Sequence, residues 1–495
     1  MIKNFKWLLL VSLTFVACNS DDEPFVDPNS TDGTPLTAGT ADFSKYVALG
    51  NSLTAGFSDN ALFIAGQQGS YPNILASQFS LVGGGEFKIP LMADNTGGLL
   101  FGGNPIAGTR LYFNGSAPAS VPGVPTTEVT NVLSGPFNNM GVPGAKSFHL
   151  LSNTYGSPAG IGTFANPYFV RFASSTSASM LGDAVAQNPT FFSLWIGNND
   201  VLSYATSGGT GVNQTGNANP ATYGGNDITD PTLFAGVYNT LVDQLTANGA
   251  KGVVANIPYV TTIPYFTTVP HNPIPLNATA AAQLNSGYTA YNNGLLFAQS
   301  NGLLTAAEVA RRTISFSASN TNAVVIVDSY LTNLNGFGIP SLRQATNEDL
   351  IVLPARTFIG TTVGGNPAQI NGVSVPLADS WVLSKEEVQE VRVATDAYNA
   401  AIESIADAKG LAFVNANVLQ TQIATGGISA NNVTVTSAYV TGGGFSLDGV
   451  HPSPRGYALI ANKFLEAINE TYGSNFRGVN IGLYRILYPL DPANF

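Results

Sequence analysis

Short apolar runs alternate with amphipathic segments along the chain, and this alternation constrains the fold more than any other feature. Four runs, at residues 45–49, 190–196, 252–256 and 411–415, are each followed by turn residues, as is typical of buried parallel strands. Strand, helix and strand in succession predict parallel pairing through helical crossovers. We therefore expect an α/β fold with a parallel sheet.

Three helices between or after these runs carry clear start and stop signals. The first covers about 233–248 and has an apolar residue at every fourth position. The second, 384–409, begins with a capping box, and the third, 453–472, begins with a Ser-Pro pair. A glycine follows each segment, as is common at helix C-termini. These signals support the alternating pattern.

Large insertions interrupt this pattern. Residues 94–135 and 203–230 are rich in Gly, Asn, Pro and Thr, which predicts long loops. A third insertion covers about 258–380, where alternating residues on either side of a Ser-Asn-Thr-Asn tetrapeptide predict a β-hairpin. The simplest organisation is one domain over 41–480 that contains these insertions, followed by a C-terminal tail at 481–495.

The N-terminus combines a positive end, an uncharged stretch and a single cysteine. The uncharged residues 7–17 follow Lys3 and Lys6 and are too few for the ~20 residues of a membrane-spanning helix, but they fit a secretory signal. Cys18 follows Phe-Val-Ala and resembles the cysteine of a bacterial lipobox. We predict cleavage of residues 1–17 and lipidation of Cys18. The alternative is a plain signal peptide with an incidental cysteine.

An acidic stretch follows the cysteine. Residues 19–23 resemble the signal by which some bacteria send lipoproteins to the cell surface, and the segment 18–40 predicts a flexible tether. We therefore expect an outer-membrane lipoprotein that is exposed at the cell surface and held in the membrane by its N-terminal lipid. With 19 basic and 30 acidic residues, the net charge of -11 gives no electrostatic support for nucleic-acid binding.

Two motifs at opposite ends of the predicted domain could form a nucleophile and its base. Ser52 lies just beyond the strand run 45–49, where open α/β sheets bind ligands. Asp448 lies three residues before His451, so one tight turn could hold the carboxylate beside the imidazole, as a catalytic base requires. An ordinary Gly-Asn-Ser turn and a capped loop are the structural alternatives.

Two further segments could supply donors for an oxyanion. The run 190–196 leads into Gly-Asn-Asn-Asp, and 139–145 contains a glycine whose backbone N–H can approach a substrate closely. Each pattern is also common in turns. Taken in order along the chain, the four segments resemble the conserved blocks of the SGNH/GDSL hydrolase family.

The resemblance implies a role for each matched residue. Ser52 corresponds to the nucleophile, and Asp448 and His451 correspond to the acid and base of the triad. Gly144 and Asn199 correspond to the oxyanion-hole residues, together with the backbone N–H of Ser52. The family also implies a flavodoxin-like three-layer α/β/α sandwich and ester hydrolysis through an acyl-enzyme, without metal or cofactor.

Two features depart from the family pattern. Asn51 stands where the family has an aspartate, and because Asn keeps the size and hydrogen bonding of Asp, we expect tuned rather than lost activity. The matched blocks are also separated by longer insertions than in compact members. The substrate is therefore not carried over from the family.

The apolar, proline-rich stretch 263–276 favours a lipolytic esterase, because it follows a strand end and could cover the site. Its candidate acyl-pocket residues are Ile263, Tyr265, Phe266 and Val269, and packing of this loop upon itself is an equal alternative. The same machinery could instead remove acetyl groups from polysaccharide. A non-enzymatic alternative is a surface lipoprotein that binds glycan or lipid on an inactive hydrolase scaffold. Three scattered histidines and one cysteine make a poor metal site.

Overall fold

A five-stranded sheet in which all neighbouring strands are parallel organises the chain. The computed structural model describes residues 26–491 and 493, so the predicted signal segment and Cys18 lie outside the described residues. The spatial order of the strands is β5-β4-β3-β1-β2, for β1 (Tyr46–Gly50), β2 (Asn139–Gly141), β3 (Phe191–Trp195), β4 (Lys251–Ala255) and β5 (Ala412–Val414). The predicted α/β class with a parallel sheet is confirmed.

All four predicted strand runs lie in this sheet. Every residue of β1 and β3 is buried, which explains why their sequences are continuously apolar rather than alternating. Strand β2 was not predicted from the sequence, because its three residues include a single large apolar side chain. Gly50 of β1 pairs with Gly141 of β2 and with Trp195 of β3, so the carboxyl ends of these strands are level.

Helices connect and cover the strands. The predicted helices are confirmed as α4 (Pro231–Thr246), α6 (Lys385–Lys409) and α8 (Pro454–Tyr472), and α6 has the predicted capping box at its first turn. Helix α8 packs on β5 and on α2 (Tyr71–Phe79), whereas α6 packs on α4. The labelled helices are α1 (Ser52–Ala55), α2 (Tyr71–Phe79), α3 (Asn199–Thr206), α4 (Pro231–Thr246), α5 (Ala278–Ser300), α6 (Lys385–Lys409), α7 (Ala416–Thr425) and α8 (Pro454–Tyr472). Shorter helices span Ile64–Gln68, Pro167–Val170, Met180–Val185, Pro264–Thr267 and Ala306–Arg312.

The β-hairpin predicted in the third insertion is wrong. The tetrapeptide Ser319–Asn322 is itself a strand and pairs with Ile274–Leu276, whereas Val325–Val327 pairs with Leu342–Gln344. The Asn322 side chain explains the difference, because its amide donates to backbone oxygens of the preceding residues Ser317 and Ser319 and of Ile274 in the partner strand. Polar residues typical of a turn are therefore held extended here.

Small two-stranded antiparallel sheets occur elsewhere in the insertions. Two of them lie within 94–135, so this region is more ordered than the predicted long loop. These sheets pair Leu99–Phe101 with Asn104–Ala107, Leu111–Phe113 with Pro118–Ser120, Leu350–Ile351 with Val382–Leu383, Thr362–Val363 with Asn366–Ile370, and Ile428–Ala430 with Val433–Val435.

Part of the predicted tether, within residues 27–40, pairs with the end of α8 and the turn after it. The backbone N–H of Thr31 donates to Asn475 O at 2.9 Å, and that of Thr40 donates to Tyr472 O at 2.8 Å. The end of α8 and the turn after it leave these carbonyl groups without helical partners, and Thr31 and Thr40 pair with them. In the C-terminal tail, Tyr488 is buried against Phe63, with 4.9 Å between ring centroids. Within the described part of the chain, every helix is too short or too polar to cross a bilayer.

Candidate active site

The carboxyl ends of three neighbouring strands bring the predicted site residues to one edge of the sheet. Ser52 follows β1, Gly144 follows β2 and Asn199 follows β3, each within a few residues of the strand end. His451 reaches the same edge from the loop before α8. This edge is where open parallel sheets bind ligands, because their connecting loops converge there.

A tight turn between β1 and α1 presents the nucleophile candidate. Asn51 caps α1 by accepting a hydrogen bond from the backbone N–H of Leu53 at 3.0 Å, and Ser52 begins the helix. Gly50 is required before this turn, because a Cβ there would lie 2.2 Å from Thr54 Oγ1 and 2.5 Å from Trp195 O. Ser52 is only 7% exposed.

Ser52, His451 and Asp448 form a hydrogen-bonded chain. Ser52 Oγ lies 2.9 Å from His451 Nε2, and His451 Nδ1 lies 2.9 Å from Asp448 Oδ2. Because a carboxylate only accepts, Nδ1 carries the proton and Nε2 is free to accept from the Ser52 hydroxyl. The ring of Phe57 packs against the imidazole at 4.6 Å between centroids. The arrangement is that of a nucleophile, a general base and an orienting acid.

The Asp448 carboxylate stays ionised although it is buried. Burial alone would raise its pKa, but the neighbouring His451 and hydrogen bonds from the backbone N–H groups of His451 and Val450 hold this pKa at about 2. Both N–H groups donate at 2.8 Å, and Asn60 N–H donates to the other oxygen at 3.0 Å. A charged carboxylate beside Nδ1 stabilises the imidazolium that forms when His451 takes a proton.

Asn199 and the Gly144 loop lie together. The Asn199 amide donates to Ala145 O at 2.9 Å, and its second Nδ2 hydrogen is left for a substrate oxygen. Gly144 adopts a φ of +82° that disfavours any side chain, and it is exposed. Behind them, buried Asp200 accepts from both the N–H and the hydroxyl of Ser147, and burial raises the pKa of Asp200. This contact ties the Gly144 loop to α3.

The residue that departs from the family pattern has a partner suited to an amide. Asn51 Nδ2 donates to Asn198 Oδ1 at 3.2 Å, across the gap between the β1 and β3 loops. An aspartate has no proton to donate in its ionised form. Asn51 therefore joins the two loops without charge, and its effect on activity stays a prediction.

A turn that was not predicted from the sequence holds the loop that carries Asp448 and His451. Asp59 and Asn60 both adopt positive φ, at 51° and 63°, in a tight turn closed between Ser58 and Ala61. The Ser58 hydroxyl donates to Pro452 O, at the end of the loop that carries Asp448 and His451. An Asp-Asn pair tolerates left-handed backbone, and this was the available signal.

Asp59 also binds that loop through its side chain. Its Oδ1 accepts from the backbone N–H of Leu447 at 2.9 Å, while its buried Oδ2 has no hydrogen-bond partner. Burial raises the pKa of Asp59 to about 7, although the Leu447 N–H and the nearby Arg110 lower it; the Asp448 charge raises it. The Asp59 carboxyl group, whose pKa is raised to about 7, thus positions the loop that carries Asp448 and His451.

An apolar cavity opens at Ser52 and His451. It extends between α7, α8 and the loop after β4. Aromatic and branched aliphatic side chains form most of its wall, among them Trp195, Leu202, Ile257, Ile423, Phe445 and Ile460. This apolar lining fits a hydrocarbon chain attached at Ser52.

The structure places one of the four predicted acyl-pocket residues at this cavity. Ile263 lines it, whereas Tyr265, Phe266 and Val269 do not. Phe266 is 2% exposed in the helix Pro264–Thr267, which packs on the strand Leu350–Ile351. The backbone N–H of Tyr265 instead donates to Gly449 O at 2.9 Å, which supports the loop between Asp448 and His451.

Helix α7 supplies the wall that the analysis of the sequence missed. Ala416, Leu419 and Ile423 line the cavity at a helical spacing that places them on one face. The helix directly follows β5, so its apolar stripe at a sheet edge was a usable signal.

The described residues offer no cluster of metal ligands. Within residues 26–491, no three or more His, Cys, Asp or Glu side chains cluster as metal ligands.

Comparison of the chain with family models, with curated proteins and with solved structures finds no match in any of the three.

Proposed function

We propose that the protein is a serine ester hydrolase of the SGNH/GDSL type, and within it a lipolytic esterase. The observation that carries the proposal is the connection between an apolar cavity and the hydrogen-bonded Ser52, His451 and Asp448. A flavodoxin-like three-layer arrangement is part of the proposal. The packing of α8 with α2, and of α6 with α4, supports it.

The geometry supports acyl transfer in two steps. His451 Nε2 removes the proton of Ser52 as Oγ attacks the ester carbonyl, and Asp448 stabilises the resulting imidazolium. The backbone N–H groups of Ser52 and Gly144 and the Asn199 amide donate to the oxyanion. His451 then protonates the departing alcohol. Water, activated by the same base, hydrolyses the acyl-enzyme.

The apolar cavity favours substrates with long acyl chains. Each buried methylene gains at most about 0.8 kcal/mol. Half of that value over six extra carbons, from acetate to octanoate, is roughly 2.4 kcal/mol, or about fiftyfold in kcat/KM. An acetyl group is too short to contact most of the apolar side chains that line the cavity. The cavity therefore weighs against the alternative of a carbohydrate O-acetyl esterase.

Turnover of nitrophenyl esters from acetate to palmitate, beside acetylated xylan, tests the proposal. We expect octanoate to exceed acetate about fiftyfold in kcat/KM, and Ser52→Ala to remove turnover while folding is retained. Ser177→Ala changes an exposed serine and is the matched control. Unchanged turnover by folded Ser52→Ala would refute a serine mechanism. Acetate as the best acyl group on both substrates would replace the lipolytic assignment by O-acetyl esterase.

We also propose that the enzyme acts at the cell surface as an outer-membrane lipoprotein anchored through Cys18. The support is the N-terminal sequence pattern. An anchor of this kind would hold the active site near lipid or acylated glycan.

A further inference from the structure

A second concavity begins at the loop that carries Gly144. The wall of this groove includes His149, Tyr155 and Tyr223. Ser203 also lines it and lies on α3, four residues after Asn199. The acyl cavity and this groove therefore lie on either side of the proposed oxyanion donors, because Asn199 lines the first and Gly144 the second.

His149 presents an unused hydrogen-bond donor in the groove. Its Nδ1 accepts from the backbone N–H of Lys146 at 3.0 Å, and its ring stacks on Tyr155 with 4.4 Å between centroids. Burial, together with the nearby Lys146, lowers the pKa of His149 to about 4, so the imidazole is neutral at pH 7. Its proton is then on Nε2. No acceptor for this N–H occurs among residues 26–491.

The groove is aromatic and has no free charge for an anion. Lys146 is the one lysine or arginine among the described residues that line it; burial lowers the pKa of Lys146, and its Nζ already donates to Asp227 O at 2.6 Å. The ring of Phe164 is 55% exposed and adds a further aromatic surface. A phosphate-bearing group would need free cations here. A neutral group with hydroxyls and an apolar ring face would not.

We propose that this groove binds the alcohol portion of the ester and that this portion is a neutral sugar ring, to which His149 Nε2 donates a hydrogen bond. The inference rests on the proposed ester hydrolysis. An ester extends in two directions from its carbonyl carbon. With the acyl chain in the cavity beside Ser52, the alcohol portion is directed toward the groove beside Gly144. A sugar ring has hydroxyls at its edge for a donor and C–H groups for aromatic faces.

The alcohol contacts the enzyme before the acyl-enzyme forms and not afterwards. A group that binds only the alcohol should therefore change kcat/KM for esters of that alcohol and leave the rate of deacylation unchanged. A merely structural role for His149 would change the turnover of every ester. This difference separates the two explanations.

Three octanoate esters with the same acyl group, those of methyl glucoside at O6, glycerol and ethanol, provide the test on the mature protein. We expect kcat/KM to be highest for the glucoside. His149→Phe retains a flat ring but lacks the donor, so it should lower kcat/KM for the glucoside about tenfold, the value of one neutral hydrogen bond. For ethyl octanoate the change should be less than about twofold. His149→Gln, which retains a donor, should recover part of the loss.

The control variant is His271→Phe, because His271 lies outside the groove. Equal losses on glucoside and ethyl esters, or no loss on either, would overturn the subsite, and a preference for the glycerol ester would overturn the sugar ring. If His149→Phe does not fold, Phe164→Ala replaces it and should lower glucoside turnover selectively. Absence of wild-type activity on all three esters would instead refute the proposed hydrolase.

Discussion

Replacing Asp59 by Asn should make the stability of the protein less dependent on pH. Asn retains the oxygen that accepts from Leu447 N–H at 2.9 Å and removes the ionisable group. In the wild type, burial raises the pKa of Asp59 from 3.8 to about 7. The folded state therefore binds a proton between pH 3.8 and 7 that the unfolded state has released.

The sign and the size of the effect follow from this linkage. Because the folded state binds more protons in this interval, the wild-type free energy of unfolding falls as pH rises through it. Between pH 5 and pH 8 the ionisation of Asp59 removes about 2–3 kcal/mol. In the variant the amide NH₂ takes the position of Oδ2, which has no partner, at a cost of about 1–3 kcal/mol. This cost is independent of pH and cancels when the two pH values are compared.

Urea denaturation of wild type and Asp59→Asn at pH 5 and pH 8 measures the difference. We expect the stability of the variant relative to wild type to increase by about 2–3 kcal/mol from pH 5 to pH 8. Asp59→Ala is the contrasting variant, because it leaves Leu447 N–H without its acceptor and should lower kcat as well as stability. The same relative stability at both pH values would refute the assignment of a raised pKa to this buried carboxyl.

Four further changes test the site and the anchor. Asn199→Ala should lower kcat about 10²–10³-fold with stability retained; a loss below tenfold would assign Asn199 to the turn. Ile423→Phe should fill part of the cavity and lower the octanoate-to-acetate ratio of kcat/KM about fourfold, the value of two methylenes at half their transfer free energy; an unchanged ratio would place the acyl chain elsewhere. Phe266→Ala should lower the free energy of unfolding by about 3–5 kcal/mol in urea denaturation and leave that ratio unchanged, because Phe266 lies outside the cavity. Cys18→Ala should move the protein from the membrane fraction to a soluble or precursor pool; unchanged fractionation would argue against lipidation.

The predicted and observed elements agree where the signal is local. Strand β3 and helix α6 were found from a continuous apolar run and from a capping box, and both signals lie within a few residues. Strand β2 has no such signal, since its three residues are a strand only because they pair with β1. The pairing of Ser319–Asn322 with Ile274–Leu276 likewise depends on a segment more than 40 residues away.

In the candidate site, too, contacts between residues near in sequence were predictable and contacts between distant residues were not. Asp448 and His451 were recognisable as a pair because one turn holds them, and the hydrogen bond between them is local in sequence. The link from His451 to Ser52 joins residues 399 positions apart, and the family resemblance supplied that expectation before the structure brought them together. Asp59 was missed because its importance comes from Leu447, 388 positions away.

The sequence by itself determined the alternation of buried strands and amphipathic helices, because periodicity and capping arise from neighbours within a few turns of the chain. It also indicated candidate site residues just beyond the strand ends, namely Ser52, Gly144 and Asn199, whose roles stay predictions. Only the tertiary structure decided that Ile423 of α7 lines the cavity and that Phe266 packs away from it. Both side chains are apolar and both follow strand ends. The difference is which distant surface each one contacts, and hydrophobic burial has no direction until the other surfaces are in place.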